Sequence, residues 1–128
     1  MAVKDVPQPG DVSREFWAAT SRREFLLQHD AKADRRQFFP RPVSLFSESE
    51  LQWRAAAGTG TLSAVTTARS TEPGSEAPHM VGLVKLDEGP RVFARLLNAE
   101  PNIAPGRRMR LTWEQERDGL RLYAFEPA

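Results

Sequence analysis

No cysteine occurs among the 128 residues, which excludes a disulfide framework, a thiolate nucleophile and a cysteine-based zinc site. Histidine is nearly as scarce. His29 and His79 are the only two, they lie on different segments, and a surface or structural role suits them better than general-base chemistry. No apolar run approaches the length of a membrane span. The polar, proline-bearing stretch 1–10 lacks the apolar core of a secretory signal. A soluble cytoplasmic protein is therefore expected. The sequence also lacks a P-loop, a GxGxxG turn, an HExxH helix and a GxSxG elbow. Asp87 and Glu88 precede Gly89-Pro90 and read as a turn, and Ser44 and Ser47 have no evident base. With no catalytic constellation in view, a non-enzymatic protein without cofactors is expected.

An excess of either charge is missing too. The formal net charge is +1, from 18 basic and 17 acidic residues, which is too balanced for a general nucleic-acid binder. Only weak binding to single-stranded DNA is expected, since phosphate neutralisation supplies most non-specific affinity. The charge is nevertheless uneven. Between residues 14 and 41, seven basic side chains (Arg14, Arg22, Arg23, Lys32, Arg35, Arg36, Arg41) face four acidic ones (Glu15, Glu24, Asp30, Asp34). Such a patch suits a phosphate group or an acidic partner, or forms a solvated mixed-charge segment.

What is present is one modest core's worth of apolar residues, 40% of a chain that suits one domain with a short appendage. Asp11 or Ser13 can cap a helix over Val12–Ser21, where Val12, Phe16 and Trp17 fall near one face. A helix this short is stable only if it packs on something. Phe25 to Gln28 reads as a strand, although Ser21 and Glu24 have the spacing of a capping box that would start a second helix. Asp30 to Arg36 reads as a loop, and Phe38-Phe39-Pro40-Arg41-Pro42 as extended and irregular. From Leu51 the pattern becomes β. Strands are expected at Leu51–Ala55, Thr61–Thr67, Met80–Leu86, Arg91–Leu97, Arg108–Trp113 and Leu120–Phe125, with Asp118-Gly119 as a hairpin turn. Val92, Ala94 and Leu96 share one face, as do Met109, Leu111 and Trp113, and Trp53 points with the core face of its own strand. Five or six short strands in so small a chain are most economically closed into a barrel, which removes exposed edges.

With Phe38-Phe39-Pro40-Arg41 among its motifs, nearly the whole chain from Ser13 to Phe125 resembles a family of small proteins, originally catalogued as a domain of unknown function. In that family a rubredoxin-like zinc ribbon precedes an oligonucleotide/oligosaccharide-binding (OB) barrel. Its N-terminal helix carries a Phe-Trp, here Phe16-Trp17, and its first β segment a Glu/Gln-Trp, here Gln52-Trp53. Ala57-Gly58-Thr59-Gly60-Thr61, Val84-Lys85-Leu86-Asp87-Glu88-Gly89-Pro90 and Gly106 follow in the family's order. The resemblance implies a mainly β fold: a small OB-type barrel of five to six strands, preceded by a short helix and a ribbon-like segment. The expected division is a leader over 1–12, helix and ribbon over 13–50 and barrel over 51–128. Aligned on Phe38 to Val43, the zinc-ligand positions fall on Asp30, Ala33, Ser44 and Ser47. Alanine cannot ligate and neutral serine is a poor ligand, so the ribbon is expected to be degenerate and metal-free, held by packing of Phe38, Phe39, Leu45 and Phe46.

The resemblance also implies a role. Members assemble with thiolases, lipid-transfer-protein-like aldolases or acyl-CoA hydratases and support acyl-CoA chemistry, in lipid or aromatic-acid metabolism, without supplying catalytic residues. The expectation is a non-catalytic accessory subunit that docks on a thiolase-like enzyme and helps hold acyl-CoA. The alternative is a single-stranded nucleic-acid-binding OB protein. Candidate contact residues for partner or acyl-CoA are Phe16, Trp17, Arg35, Arg36, Phe38, Phe39 and Arg41, because arginine and aromatic side chains dominate interface hot spots. The competing reading of the rings is that they cover the open end of the barrel.

Overall fold

A computed structural model of the chain describes residues 10, 12–69, 72–74, 77–116 and 120–128. The chain enters through helix α1 (Arg14–Thr20), which buries Phe16, Trp17, Ala19 and Thr20. It is one or two residues shorter at each end than the expected Val12–Ser21. Ser13 stands at the N-cap but makes no capping bond from its side chain; Asp11, the other cap candidate, lies outside the described residues. The capping-box spacing of Ser21 and Glu24 starts no second helix. Arg23 adopts φ +59°, the amide of Glu24 donates back to the Ala19 carbonyl at 3.0 Å, and the chain turns directly into a strand.

That strand, β1 (Leu26–Asp30), is the middle of a three-stranded antiparallel sheet between β2 (Arg35–Gln37) and β3 (Leu51–Ala55). Two features depart from the sequence reading. The polar stretch 30–36 is not all loop: a turn over 31–34 brings Arg35–Gln37 back along β1, pairing Asp30 with Arg35 and Gln28 with Gln37. Its strand character comes from an edge offered by β1, not from its own propensity. Strand β3 pairs with β1 along its whole length, and the amide of Ala56 extends the pairing by donating to the Phe25 carbonyl at 2.8 Å. The barrel strands proper run from Thr59 onward.

The barrel comprises β4 (Thr59–Ala68), β5 (His79–Leu86), β6 (Arg91–Leu96), β7 (Arg108–Trp113) and β8 (Tyr123–Pro127), closed in the order β4-β5-β6-β8-β7. All neighbours are antiparallel except β6 and β8. This is a five-stranded closure of the OB type. The alternation read from the sequence holds: Val92, Ala94 and Leu96 are buried while Arg91 and Phe93 are exposed, and Met109 is buried between exposed Arg108 and Arg110. The last strand starts three residues later than expected, leaving Leu120 as an isolated bridge. Asp118-Gly119 lies outside the described residues. Strand β4 serves both neighbours by bending, with a bulge between Leu62 and Ala64. Closure also needs close backbone approach. A Cβ on Gly60 would stand 2.4 Å from the Lys85 carbonyl oxygen, and one on Gly82 2.9 Å from that of Ala64.

Leu62, Val84, Leu86, Val92, Leu96, Met109 and Phe125 fill the barrel, and Ile103 closes it from the β6–β7 connection. The core continues through Phe16, Trp17, Phe25 and Leu27 into the space between α1 and the three-stranded sheet. Trp53 and Trp113 are half-buried against it, as their strand positions suggested. No helix among the described residues is long and apolar enough to cross a membrane.

Candidate functional site

Residues 38–50 carry no regular secondary structure, yet three buried polar side chains of β1 and β2 fasten their backbone. The side-chain carbonyl of Gln28 accepts from the Arg41 amide at 2.8 Å and from Gln37 Nε2 at 2.8 Å, while its own Nε2 donates to the Arg41 carbonyl at 2.9 Å. Gln37 Nε2 also donates to the Val43 carbonyl at 3.2 Å, and Gln37 Oε1 accepts from the Leu45 amide at 3.0 Å. Asp30, fully buried, accepts at Oδ2 from the hydroxyls of Ser44 and Ser47, each at 2.5 Å, and at Oδ1 from the Ala33 amide at 2.9 Å. These bonds, led by the Ser44 hydroxyl, hold the Asp30 carboxyl down at about 2, against the opposing effect of burial. The expectation that packing holds this loop is met at its start, where Phe38 packs on the core and Phe39 lies against Phe16, but not at exposed Leu45, where hydrogen bonds to buried side chains do the fastening.

Asp30, Ala33, Ser44 and Ser47 thus converge on one point. They do not fit the zinc ion that a ribbon with intact cysteines would hold. Ala33 has no donor atom, both hydroxyls are already committed to Asp30, and among the described residues no three His, Cys, Asp or Glu side chains group to hold a metal.

The seven candidate contact residues separate into three places. Phe16 lies at the centre of an aromatic cluster, its ring centroid 4.9 Å from Trp17, 5.2 Å from Phe25, 5.6 Å from Phe38, 5.7 Å from Phe39 and 6.0 Å from Tyr123. Phe16 and Trp17 are buried inside it, whereas Phe39, 41% exposed, forms its rim. Burial also pushes the Tyr123 hydroxyl up to about 12. Phe25 and Tyr123 were not picked out by sequence. Only the barrel's closure brings Tyr123, the start of β8, against the helix.

Arg35, Arg36 and Phe38 line a groove of about 510 Å³ between the three-stranded sheet and the β5–β6 turn, facing Phe46, Lys85, Glu88 and Arg91. The Arg35 guanidinium sits 4.1 Å from the Phe46 ring centroid, a cation–π contact. Arg36 lies 3.6 Å from Glu88, whose carboxylate also accepts from the Ala57 amide at 2.6 Å. The Asp87-Glu88-Gly89-Pro90 turn is therefore a joint as well as a turn. Glu88 ties it to the sheet, and Asp87 ties it across the barrel by accepting from Thr59 at 2.6 Å and from both Nη atoms of Arg108 at 2.8 Å. The Arg108 and Thr59 bonds hold the Asp87 carboxyl well below the usual range. Arg41 stands apart. It lines a separate cleft of about 770 Å³ with Val12, Pro42, Val43, Leu51 and Trp53. Val43 in that cleft and Leu45 in the groove are 69% and 58% exposed, apolar side chains that no periodicity could flag because they lie in irregular chain.

A hydrogen-bonded loop without regular secondary structure thus lies on a small sheet, followed by a five-stranded closed barrel. Residues 53–114 match the family model of the ChsH2 C-terminal OB-fold domain. The whole arrangement is also similar to a chain of a solved structure, the "Ltp2-ChsH2(DUF35) aldolase", with a TM-score of 0.85 and 27% identity over 95% of this chain and 98% of that one. No curated protein matches the sequence. Likeness to that solved chain therefore extends beyond the barrel, through the small sheet and α1.

Proposed function

We propose that the protein is a non-catalytic accessory subunit of a thiolase-like acyl-CoA enzyme, working in the cytoplasm. In this reading the three-stranded sheet and its loop are a zinc ribbon whose cysteine positions have become Asp30, Ala33, Ser44 and Ser47. The observation that carries it is the similarity over 95% of the chain to a component of an aldolase complex described as Ltp2 with ChsH2. The docking surface is assigned to Phe39, Val43 and Leu45, exposed apolar side chains on a loop that is nevertheless held in one conformation. Pre-organisation of this kind lowers the ordering cost of association. The groove mixes Arg35, Arg36, Lys85 and Arg91 with Asp34 and Glu88, and its basic excess, foremost Lys85 and Arg91, is the part to meet a phosphate of acyl-CoA held by the partner.

The test is co-expression with a thiolase-like enzyme of the same host, followed by size-exclusion chromatography of the wild type and of the double variant V43D/L45D. Stable co-elution of the wild type and its loss in the folded double variant are expected. A wild-type chain that elutes alone, or that co-elutes with single-stranded nucleic acid instead, would overturn the reading.

A further inference from the structure

We propose that this ribbon is closed around an anion where a zinc ribbon is closed around a cation: the buried Asp30 carboxylate fastens the two turns that a four-cysteine site would fasten. Positions 30 and 33, and 44 and 47, have the spacing of two Cys-x2-Cys knuckles. A zinc site draws four lone pairs toward a positive centre. Here the polarity is reversed, and hydrogens point toward a negative centre: the Ser44 and Ser47 hydroxyls at 2.5 Å and the Ala33 amide at 2.9 Å. The two short hydroxyl contacts lie in the range of charge-assisted O–H···O⁻ bonds. Each hydroxyl also accepts from the loop beyond it. Ser44 Oγ takes the amides of Phe46 at 3.0 Å and Ser47 at 3.3 Å, and Ser47 Oγ takes that of Ser49 at 3.0 Å. The order thus spreads outward from Asp30 to residue 49 without a metal. The loop bearing Val43 and Leu45 is set by the chain alone, so its conformation is indifferent to chelators and to zinc supply. The ribbon reading of these positions and the use of the loop for docking rest on the proposed function; the hydrogen-bonded closure around Asp30 does not.

The full chain, without any partner, provides the test. Wild type treated with EDTA and then titrated with zinc or cobalt(II) chloride is expected to show an unchanged Tm and no bound metal. D30N and S44A/S47A are each expected to lower Tm by about 5–10 °C. Because both break one network, their combination is expected to cost little more than either. D30C/A33C/S44C/S47C is expected to take up one cobalt(II) with the absorption of a tetrahedral thiolate site and to recover thermal stability only when metal is present. Wild type that retains about one zinc after chelation overturns the proposal. So do D30N and S44A/S47A variants with wild-type Tm, fully additive losses in their combination, or a folded four-cysteine variant that binds no cobalt. Failure here would leave co-elution with the partner enzyme unaffected, so the two readings fail separately.

Discussion

The barrel and the small sheet before it are stabilised by opposite means. Inside the barrel the fully buried side chains are Leu62, Leu86, Val84, Val92, Met109 and Phe125, and apolar burial dominates. In the small sheet Gln28, Asp30 and Gln37 are buried, and they spend their hydrogen-bonding capacity on a loop that has no secondary structure. The aromatic cluster of Phe16, Trp17, Phe25 and Tyr123 joins the two halves. The difference teaches how a chain can hold an exposed, partly apolar loop in one shape: it fixes the loop's backbone from below with polar side chains and leaves its own apolar side chains outside.

The comparison can be broken most severely at the barrel. Phe125→Ala removes a fully buried ring and is expected to cost about 3–5 kcal/mol, with the whole molecule unfolding in one cooperative step in urea. Phe16→Ala should be as costly if the joint belongs to the same core, whereas Phe39→Ala, at the rim, should leave the urea midpoint nearly unchanged. Gln37→Ala comes next. It strips the Leu45 amide and the Val43 carbonyl of their partners and orphans part of Gln28, at about 1–3 kcal/mol. A loss of similar size spread over the barrel amides, with none in the loop, would contradict the division drawn here.

Acid should sharpen the same contrast. The Asp30 carboxyl is held at about 2, against 3.8 for the free group. Its depressed value means that its contribution is fully present above about pH 4 and is lost as pH falls through 2. Asp87 is depressed as well, by Arg108 and Thr59. Thermal melts between pH 5 and 2 should therefore show falling stability, with a shallower fall in D30N, which lacks the Asp30 part and keeps that of Asp87. Equal slopes for the two proteins would remove Asp30 from the account. Apart from Phe39→Ala, the smallest effect is expected at Arg108→Ala. Its pair with Asp87 is half-exposed, so Tm should move by only about 1–3 °C, and less at high salt.

How much of this could be read from the sequence divides along the same line. Period-two alternation announced β6 and the first half of β7, because in a barrel every second side chain must enter an apolar interior, while Leu111, Thr112 and Trp113 are all half-buried. In the small sheet Leu27 is buried on the core side, but the residues buried beneath the loop are Gln28, Asp30 and Gln37, whose polarity reads as surface, and so most of β2 was hidden within a presumed loop. Asp30, Ala33, Ser44 and Ser47 could be located through the knuckle spacing of a resembling family, but the hydrogen bonds that replace ligation depend on side-chain direction and were not legible. Phe16 and Trp17 were legible as important and were misleading as to surface, since their helix finds its burial against Phe25 and Tyr123, which are distant in sequence from each other. The groove wall of Lys85 and Arg91 needed the β5–β6 turn to meet Arg35 and Arg36 in space.

Amide hydrogen exchange of D30N beside the wild type tests most directly whether a buried polar network, separate from the barrel core, holds the loop. The account predicts that protection falls at the amides of Ala33, Phe46, Ser47 and Ser49, while Val84, Val92 and Phe125 in the barrel exchange as in the wild type. Unchanged protection at those loop amides, or an equal loss through barrel and loop together, would contradict it.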